Sequence, residues 1–236
     1  MSNHALLDNI THKDLKIIPG YRKGQGFEVN VTRVFPSEFA RLQTEYPLFF
    51  VKNAESGHFD AVALLGFYEG QNLFLGEDGW LSSYVPLSVQ RQPFLIGFQQ
   101  STEDGVPVRE PVVHIDLDNP RVSTTEGAPV FLPHGGESPL LEGVTSVLKA
   151  IHDGHEASEN LSTLLVGLEL IESLDLGVTF RDGNKHSVSG LYTINEDRLR
   201  ELNGAALEVL HKPGHVQDIY MFLSSLPNVN KLIDRV

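Results

Sequence analysis

The sharpest pattern of chemistry-bearing residues in this sequence is His114-Ile115-Asp116, a histidine and an aspartate two positions apart in a predicted strand. Residues i and i+2 of a strand project from the same face, so the pair could supply two ligands of a His/Asp/His triad for non-haem Fe2+. The third ligand would come from His186, which lies on a predicted hairpin far along the chain. An HxD tripeptide is also frequent by chance, and a strand end with alternating exposed polar residues is the favoured explanation.

Other histidines and carboxylates form weaker patterns. His152 and His155 could bind a metal. Two imidazoles at the predicted C-terminal end of a helix are also favourable there as partial cations, because that end of the helix dipole is negative. His134-Gly135-Gly136-Glu137 is typical of a turn, because no phosphate-loop lysine accompanies it. Asp116 and Asp118 could act as paired carboxylates if a pocket held them together. The sequence has no G-x-S-x-G motif, so it gives no support to a serine nucleophile of the α/β-hydrolase kind.

Large aromatic residues near one arginine provide a second kind of candidate, a binding surface for a protein or peptide. Trp80, Tyr84 and Arg91 fall in one short stretch, where aromatic rings offer large contact area with a polar edge. The alternative is that the aromatic residues are core, since such side chains are highly buried on average. Phe131 is a further candidate anchor, with the same alternative of a core position.

Composition narrows the classes of partner. Lys and Arg number 18 against 31 Asp and Glu, and the formal net charge of -13 opposes binding to nucleic acid or to anionic membranes. Cysteine is absent, which excludes disulfides, thiolate metal sites and a cysteine nucleophile. The N-terminus lacks the pattern of a secretory signal, and no run approaches the ~18 apolar residues of a membrane span. We therefore expect a cytoplasmic protein with no membrane insertion.

The elements that must position these residues follow from hydrophobic periodicity. Residues 14–118 are rich in short apolar runs bounded by turn formers, which predicts strands. Residues 119–139 form a long connection rich in Pro, Gly, Ser and Thr, and such connections are often functional. In residues 140–236 the apolar residues recur with the period of a helix. A hairpin near 176–194, with Asp182-Gly183 at its turn, interrupts this pattern. The pattern predicts one α+β unit over 1–236, with a mostly antiparallel sheet and C-terminal helices packed against it.

Two separate helices are predicted after the connection. Ser138 and Pro139 make a sound helix start, and the apolar positions from Leu140 to Ile151 line one face. A second helical stripe runs from Leu161 to Ile171.

Two sequence blocks resemble the SapC-like family of bacterial proteins. The first lies within Tyr46–Gln99 and contains YPLFFVK, AVALLGF, NLFL, GW, YVP and PF. The second is GLYTINE at residues 190–196, followed by a leucine-rich helical tail. The resemblance covers most of the chain and implies no catalytic residue set. It implies an accessory role, because members of the family occur beside halogenase-like and oxygenase-like proteins and outer-membrane uptake receptors.

These observations lead to one principal hypothesis and two alternatives. We expect a non-catalytic binding or accessory protein without a cofactor, acting on a protein or peptide partner, with a second copy of the chain as a further candidate partner. The first alternative is an iron enzyme using His114, Asp116 and His186. With Arg198 after the last histidine, the order of these residues is similar to that in oxoglutarate-dependent oxygenases. The second is a surface-layer component, which the family name suggests.

Overall fold

The computed structural model of the chain describes residues 3–103 and 106–236, with the side chains of 101–109 outside the description. Two compact units emerge from the contacts within the chain. The first unit comprises the N-terminal segment to Phe27, Leu75–Trp80 and Leu87–His152, and the second comprises Glu28–Phe74, Leu81–Pro86 and Asp153–Val236. The single-domain organisation over 1–236 stays a prediction.

Strands and helices alternate irregularly along the described residues. The strands are β1 (His4–Leu6), β2 (Lys16–Ile17), β3 (Val31–Arg33), β4 (Leu48–Lys52), β5 (Phe59–Leu64), β6 (Phe94–Glu103), β7 (Val106–Asp116), β8 (Val122–Ser123), β9 (Ala128–Pro129), β10 (Ile171–Thr179) and β11 (Lys185–Ile194). The helices are α1 (Phe39–Leu42), α2 (Leu87–Gln90), α3 (Pro139–Gly167), α4 (Glu196–Arg200), α5 (Gly204–His211), α6 (His215–Ser225) and α7 (Asn228–Ile233). A 3-10 turn at Pro36–Glu38 precedes α1.

The first unit contains two three-stranded antiparallel sheets. The larger has the order β1-β7-β6, and the smaller has the order β8-β2-β9. The strands β8 and β9 both come from residues 119–139, so the predicted irregular connection contains two strands of two residues each. The two backbone segments gain hydrogen-bonding partners on either side of β2, which the Pro and Gly content of this stretch did not indicate.

One apolar cluster forms the core of the first unit. It joins one face of the larger sheet to the first part of α3 and to the end of the 119–139 segment. Its buried members are Ile17, Phe94, Ile115, Val130, Phe131, Leu141 and Leu148. The apolar cluster therefore packs against one face of the larger sheet, and the opposite face is not part of this core.

The second unit is built on a five-stranded antiparallel sheet with the order β10-β11-β4-β5-β3. The C-terminal helix α6 packs on it, where the rings of Phe50 on β4 and Phe222 on α6 stack with centroids 4.2 Å apart. The strand pairs are antiparallel throughout both units in the described residues. The predicted α+β fold, with C-terminal helices packed against an antiparallel sheet, is confirmed.

The predicted hairpin is also present. Gly183 has φ of 86°, the left-handed conformation that Gly adopts without steric cost, and Asn184 donates its backbone N–H to the Asp182 carboxylate at 2.9 Å. The first strand of the hairpin begins earlier than expected, at Ile171. The apolar periodicity predicts a helix at that residue, but α3 ends at Gly167 and Glu169 takes a positive φ of 59°, which turns the chain out of the helix.

The two helices predicted after residue 139 are one helix, α3, of 29 residues. Between the predicted helices the apolar stripe is interrupted by His152 to His155, which indicates a break. In the second unit a Cβ on Gly154 would lie 2.8 Å from the ring of Phe35, so the bare glycine allows the helix to pass close to that ring. The predicted C-terminal position of His152 and His155 is therefore wrong, because both lie inside α3.

We also find that, in the described part of the chain, none of the helices is long and apolar enough to span a membrane.

Candidate functional site

The outer face of the β1-β7-β6 sheet carries the polar residues that the core face lacks. His114 and Asp116 project from this face, as their spacing predicted, because cross-strand partners in an antiparallel sheet share a face. Asp116 pairs with His4 on β1, and His114 lies between Leu6 on β1 and Leu95 on β6. The sheet thus lines up two histidines and an aspartate beside exposed or half-buried leucines.

A cleft of about 420 Å³ opens at one end of this face, within the first unit. We call it the first cleft. Its lining residues are His4, Gly26, Arg91, Gln92, Pro93, Leu95, Asp116, Asp118, Asn119 and Pro120. Arg91 and Asp116, chosen from the sequence for two different roles, lie in this one cleft. Its volume is in the range of small-ligand sites.

Arg91 is the half-buried cation of the first cleft. It donates from one guanidinium nitrogen to the backbone carbonyl of Phe94 at 2.8 Å. It pairs with no carboxylate in the described residues. Desolvation lowers the pKa of Arg91 below its ordinary value, which shows that burial disfavours its charge. An anionic group brought by a ligand would offset that cost.

The carboxylates of the first cleft are likewise without ion pairs among the described residues. Asp116 accepts a hydrogen bond from the backbone N–H of Asp118 at 3.2 Å, and Asp118 is exposed. The amide side chains of Gln92 and Asn119 add donors and acceptors. The cleft therefore presents both signs of charge together with amide groups.

A buried arginine supports the cleft from below. Arg121 donates to the backbone carbonyls of Ile18 at 3.0 Å and of Gln92 at 2.8 Å, and its guanidinium lies 5.3 Å from the ring centroid of Phe27. Desolvation lowers the pKa of Arg121, and neighbouring Tyr21 opposes that effect. Since one of its bonds holds the Gln92 carbonyl, Arg121 positions a residue that lines the cleft.

The imidazole of His114 rests on a bare glycine. A Cβ on Gly97 would lie 2.5 Å from ring atoms of His114, closer than side chains approach one another. The ring has no hydrogen-bond partner in the described residues. Gly97 thus provides the space that lets His114 lie along the sheet, and sequence analysis had not identified this role.

The three residues of the predicted iron site belong to two different units. Across residues 3–103 and 106–236, no group of three or more His, Cys, Asp or Glu side chains is placed to hold a metal ion. His114 and Asp116 share a sheet face in the first unit. His186 belongs to the second unit, where its Nε2 lies 3.0 Å from the carbonyl oxygen of Phe67 and its ring lies 4.4 Å from that of Tyr68. The His114, Asp116 and His186 triad of the alternative hypothesis stays a prediction.

Trp80 and Tyr84 are close in sequence but belong to different units. Trp80, half-buried in the first unit, meets the ring of Tyr21 edge-on with centroids 5.8 Å apart. Tyr84, in the second unit, donates its hydroxyl to the buried carboxylate of Glu38 at 3.0 Å. Burial, followed by the charge of Glu38, raises the pKa of Tyr84. The hydrogen bond from its hydroxyl therefore makes Tyr84 an anchor of the loop that carries it.

Phe131 is packed in the core of the first unit. It is 8% exposed and belongs to the apolar cluster, whereas the next residue, Leu132, is 46% exposed. The 134–137 motif forms the predicted turn, in which Gly135 has φ of 85° and donates to the Leu132 carbonyl at 2.9 Å. Phe131 therefore secures this segment and is not an exposed anchor.

Sequence analysis missed four polar residues of this site. His4, Gln92 and Asn119 line the first cleft, and Arg121 supports it. They come from three distant segments of the chain, with Asn119 and Arg121 in the same one, and no short motif joins all four. A signal was present for Asn119, since an Asn before Pro favours a turn at the end of a strand.

Comparison with known proteins identifies the family. A family model described as SapC matches residues 7–232. The chain belongs to the SapC family. No curated protein and no solved structure matches the chain.

Proposed function

We propose that this member of the SapC family is a non-catalytic binding protein of the bacterial cytoplasm, which holds a segment of a protein or peptide partner in the first cleft. The observation that carries the proposal is the state of Arg91. It lines the cleft, burial disfavours its charge, and no carboxylate in the described residues compensates it. An acidic side chain or a terminal carboxylate of a partner would supply that compensation.

A peptide segment fits the remaining groups better than a simple anion does. Asp116 and Asp118 repel a small anion but bind basic side chains, and Gln92 and Asn119 can bond to peptide amides. Pro93 and the half-buried Leu95 add apolar surface. A ligand with both signs of charge, amide groups and apolar parts satisfies all of these residues, and that is the chemistry of a polypeptide.

The charge of the whole chain supports a protein partner over nucleic acid. The formal net charge of -13 repels phosphate backbones, and Arg91 is a single cation in a cleft that also carries two carboxylates. A second copy of the chain remains one candidate for this partner.

A selected-peptide experiment tests the proposal. Random peptides are selected on the wild-type protein, and the binders are then measured by calorimetry against Arg91→Gln and Arg91→Lys. We expect the binders to contain acidic residues, and Arg91→Gln to weaken binding about tenfold, the effect of losing one charge-assisted hydrogen bond. Arg91→Lys should retain part of the affinity because it keeps the charge without the planar fork.

Arg200→Gln is the matched control, since it removes an arginine that already has carboxylate partners in the second unit. Unfolding midpoints of all variants show whether the fold is intact. Peptides that bind Arg91→Gln as tightly as wild type, or a selection that enriches no sequence, would contradict the proposal.

A further inference from the structure

A second cleft lies wholly within the second unit and has a different charge. Its volume is about 360 Å³. We call it the second cleft. Its lining residues are Glu172, Thr193, Ile194, Asn195, Glu196, Asp197, Arg200 and Leu226. Three carboxylates against one arginine make it acidic.

The arginine of the second cleft is already paired with carboxylates of the same chain. Arg200 contacts Glu196 at 3.0 Å and Asp197 at 2.6 Å, within α4. Glu172 has no ion pair or hydrogen bond from its side chain to any other described residue. The unpaired charge of the second cleft is therefore negative.

A buried hydroxyl lies directly across from Glu172. Residues Glu172 and Thr193 are cross-strand partners on β10 and β11, so their side chains share a sheet face. Thr193 is 7% exposed, and its Oγ1 is buried without a hydrogen-bond partner among the described residues. Buried polar groups are almost always satisfied, so an orphaned hydroxyl on a residue that lines a cleft indicates a missing partner.

We infer that the second cleft binds a primary ammonium group between the Glu172 carboxylate and the Thr193 hydroxyl. This inference concerns a different cleft and a different ligand from the proposed function. An ammonium provides three donors on a compact charge, which suits a recessed hydroxyl better than the broad, planar guanidinium does. A metal ion is disfavoured, because the carboxylates here do not form a metal-holding group within the described residues.

The experiment uses n-butylammonium as the probe, with n-butanol as its uncharged counterpart. The 1H–15N NMR spectrum of the full chain is recorded during each titration. We expect saturable shifts at Thr193 and its neighbours with butylammonium below about 10 mM, and none with butanol. Glu172→Gln and Thr193→Val should each weaken binding about tenfold.

Two further variants separate binding from folding. Asp175→Asn removes an exposed carboxylate of the same strand that does not line the cleft, so it should bind the probe normally. Thr193→Val should keep the wild-type unfolding midpoint, since the hydroxyl has no bond to lose. Ser225→Ala should lower the midpoint, because the Ser225 hydroxyl accepts the Leu48 N–H at 2.9 Å and donates to the Phe222 carbonyl at 2.6 Å.

The source of the ammonium is distinguished by comparing acetyl-Gly-Lys-Gly-amide with spermidine. Tighter binding of the tripeptide assigns the cleft to a lysine side chain, and tighter binding of spermidine assigns it to a free polyamine. The inference is overturned if neither the probe nor these ligands shifts the Thr193 region. Equal binding by wild type, Glu172→Gln and Thr193→Val would also overturn it. Neither result would bear on acidic peptides at Arg91.

Discussion

The two clefts differ in which of their charges are already paired. Among the described residues, the Arg91 side chain of the first cleft bonds only to a backbone carbonyl, and Asp116 and Asp118 form no ion pair. In the second cleft Arg200 is held by two carboxylates of its own helix, which leaves Glu172 as the unpaired charge. The difference shows that residue composition alone does not define a ligand, because pairing within the fold decides which charges remain available.

The first cleft also depends more on buried structure than the second does. Its sheet is fixed on one face by an apolar cluster, and one of its lining residues is held by a buried arginine. The acidic residues of the second cleft are exposed, with Glu172 on β10 and the other two at the start of α4. Substitutions that disturb the first cleft should therefore cost more stability than those that disturb the second.

The largest effect is expected from Phe131→Ala. This substitution removes a ring from the cluster behind the first cleft, and we expect a loss of about 3–5 kcal/mol in the free energy of unfolding. Leu132→Ala is the control, because Leu132 is 46% exposed and should cost less than about 1 kcal/mol. Urea denaturation measures both. Equal, small losses would show that the 119–139 segment does not secure the sheet.

Arg121→Met tests the support beneath the first cleft. It leaves the carbonyls of Ile18 and Gln92 without their donor, and we expect a loss of about 2–3 kcal/mol. Arg200→Met in the second cleft breaks ion pairs that are mostly exposed, so its cost should be about 0–1 kcal/mol. If the two variants unfold at the same urea concentration, the buried Arg121 contributes no more to stability than the exposed Arg200, which would contradict this account.

Gly97→Ala tests the packing of His114 on the outer sheet face. The new methyl group must displace the imidazole, which should cost about 1–2 kcal/mol and shift the NMR signals of the ring. Gly177→Ala provides a matched change on β10, where no described residue other than the chain neighbours lies within 4 Å of the position that the new methyl group would take. We expect little loss there. An unshifted His114 spectrum in Gly97→Ala would contradict this account.

The smallest effect on stability is expected at Glu45, a carboxylate of the second unit that does not line the second cleft. Desolvation acts to raise the pKa of Glu45, but hydrogen bonds from Ser83 and Ser82 outweigh it and hold that pKa below its ordinary value. A lowered folded-state pKa stabilises the fold above the unfolded-state pKa, and this contribution is lost as pH falls through the folded-state pKa. We expect Ser83→Ala to raise the pKa of Glu45 in an NMR titration and to reduce this acid-side loss. The exposed Ser224→Ala should leave that pKa unchanged.

Local patterns in the sequence predicted much of the fold. The Asp182-Gly183 turn, the i and i+2 placement of His114 and Asp116 on one face, and the helix start at Pro139 all depend on nearby residues. Local stereochemistry decides such features. The same patterns wrongly divided α3, because the contact that makes Gly154 suitable there comes from Phe35, more than a hundred residues earlier.

By itself, the sequence determined the family, the α+β class and the absence of thiol chemistry. Only the tertiary structure decided which charges meet. It placed Arg91 and Asp116 in one cleft, put His186 in a different unit and packed Phe131 in the core. The physical reason is that pairing and burial depend on contacts between segments distant in the chain, whereas hydrophobic periodicity and turn propensity depend only on neighbouring residues.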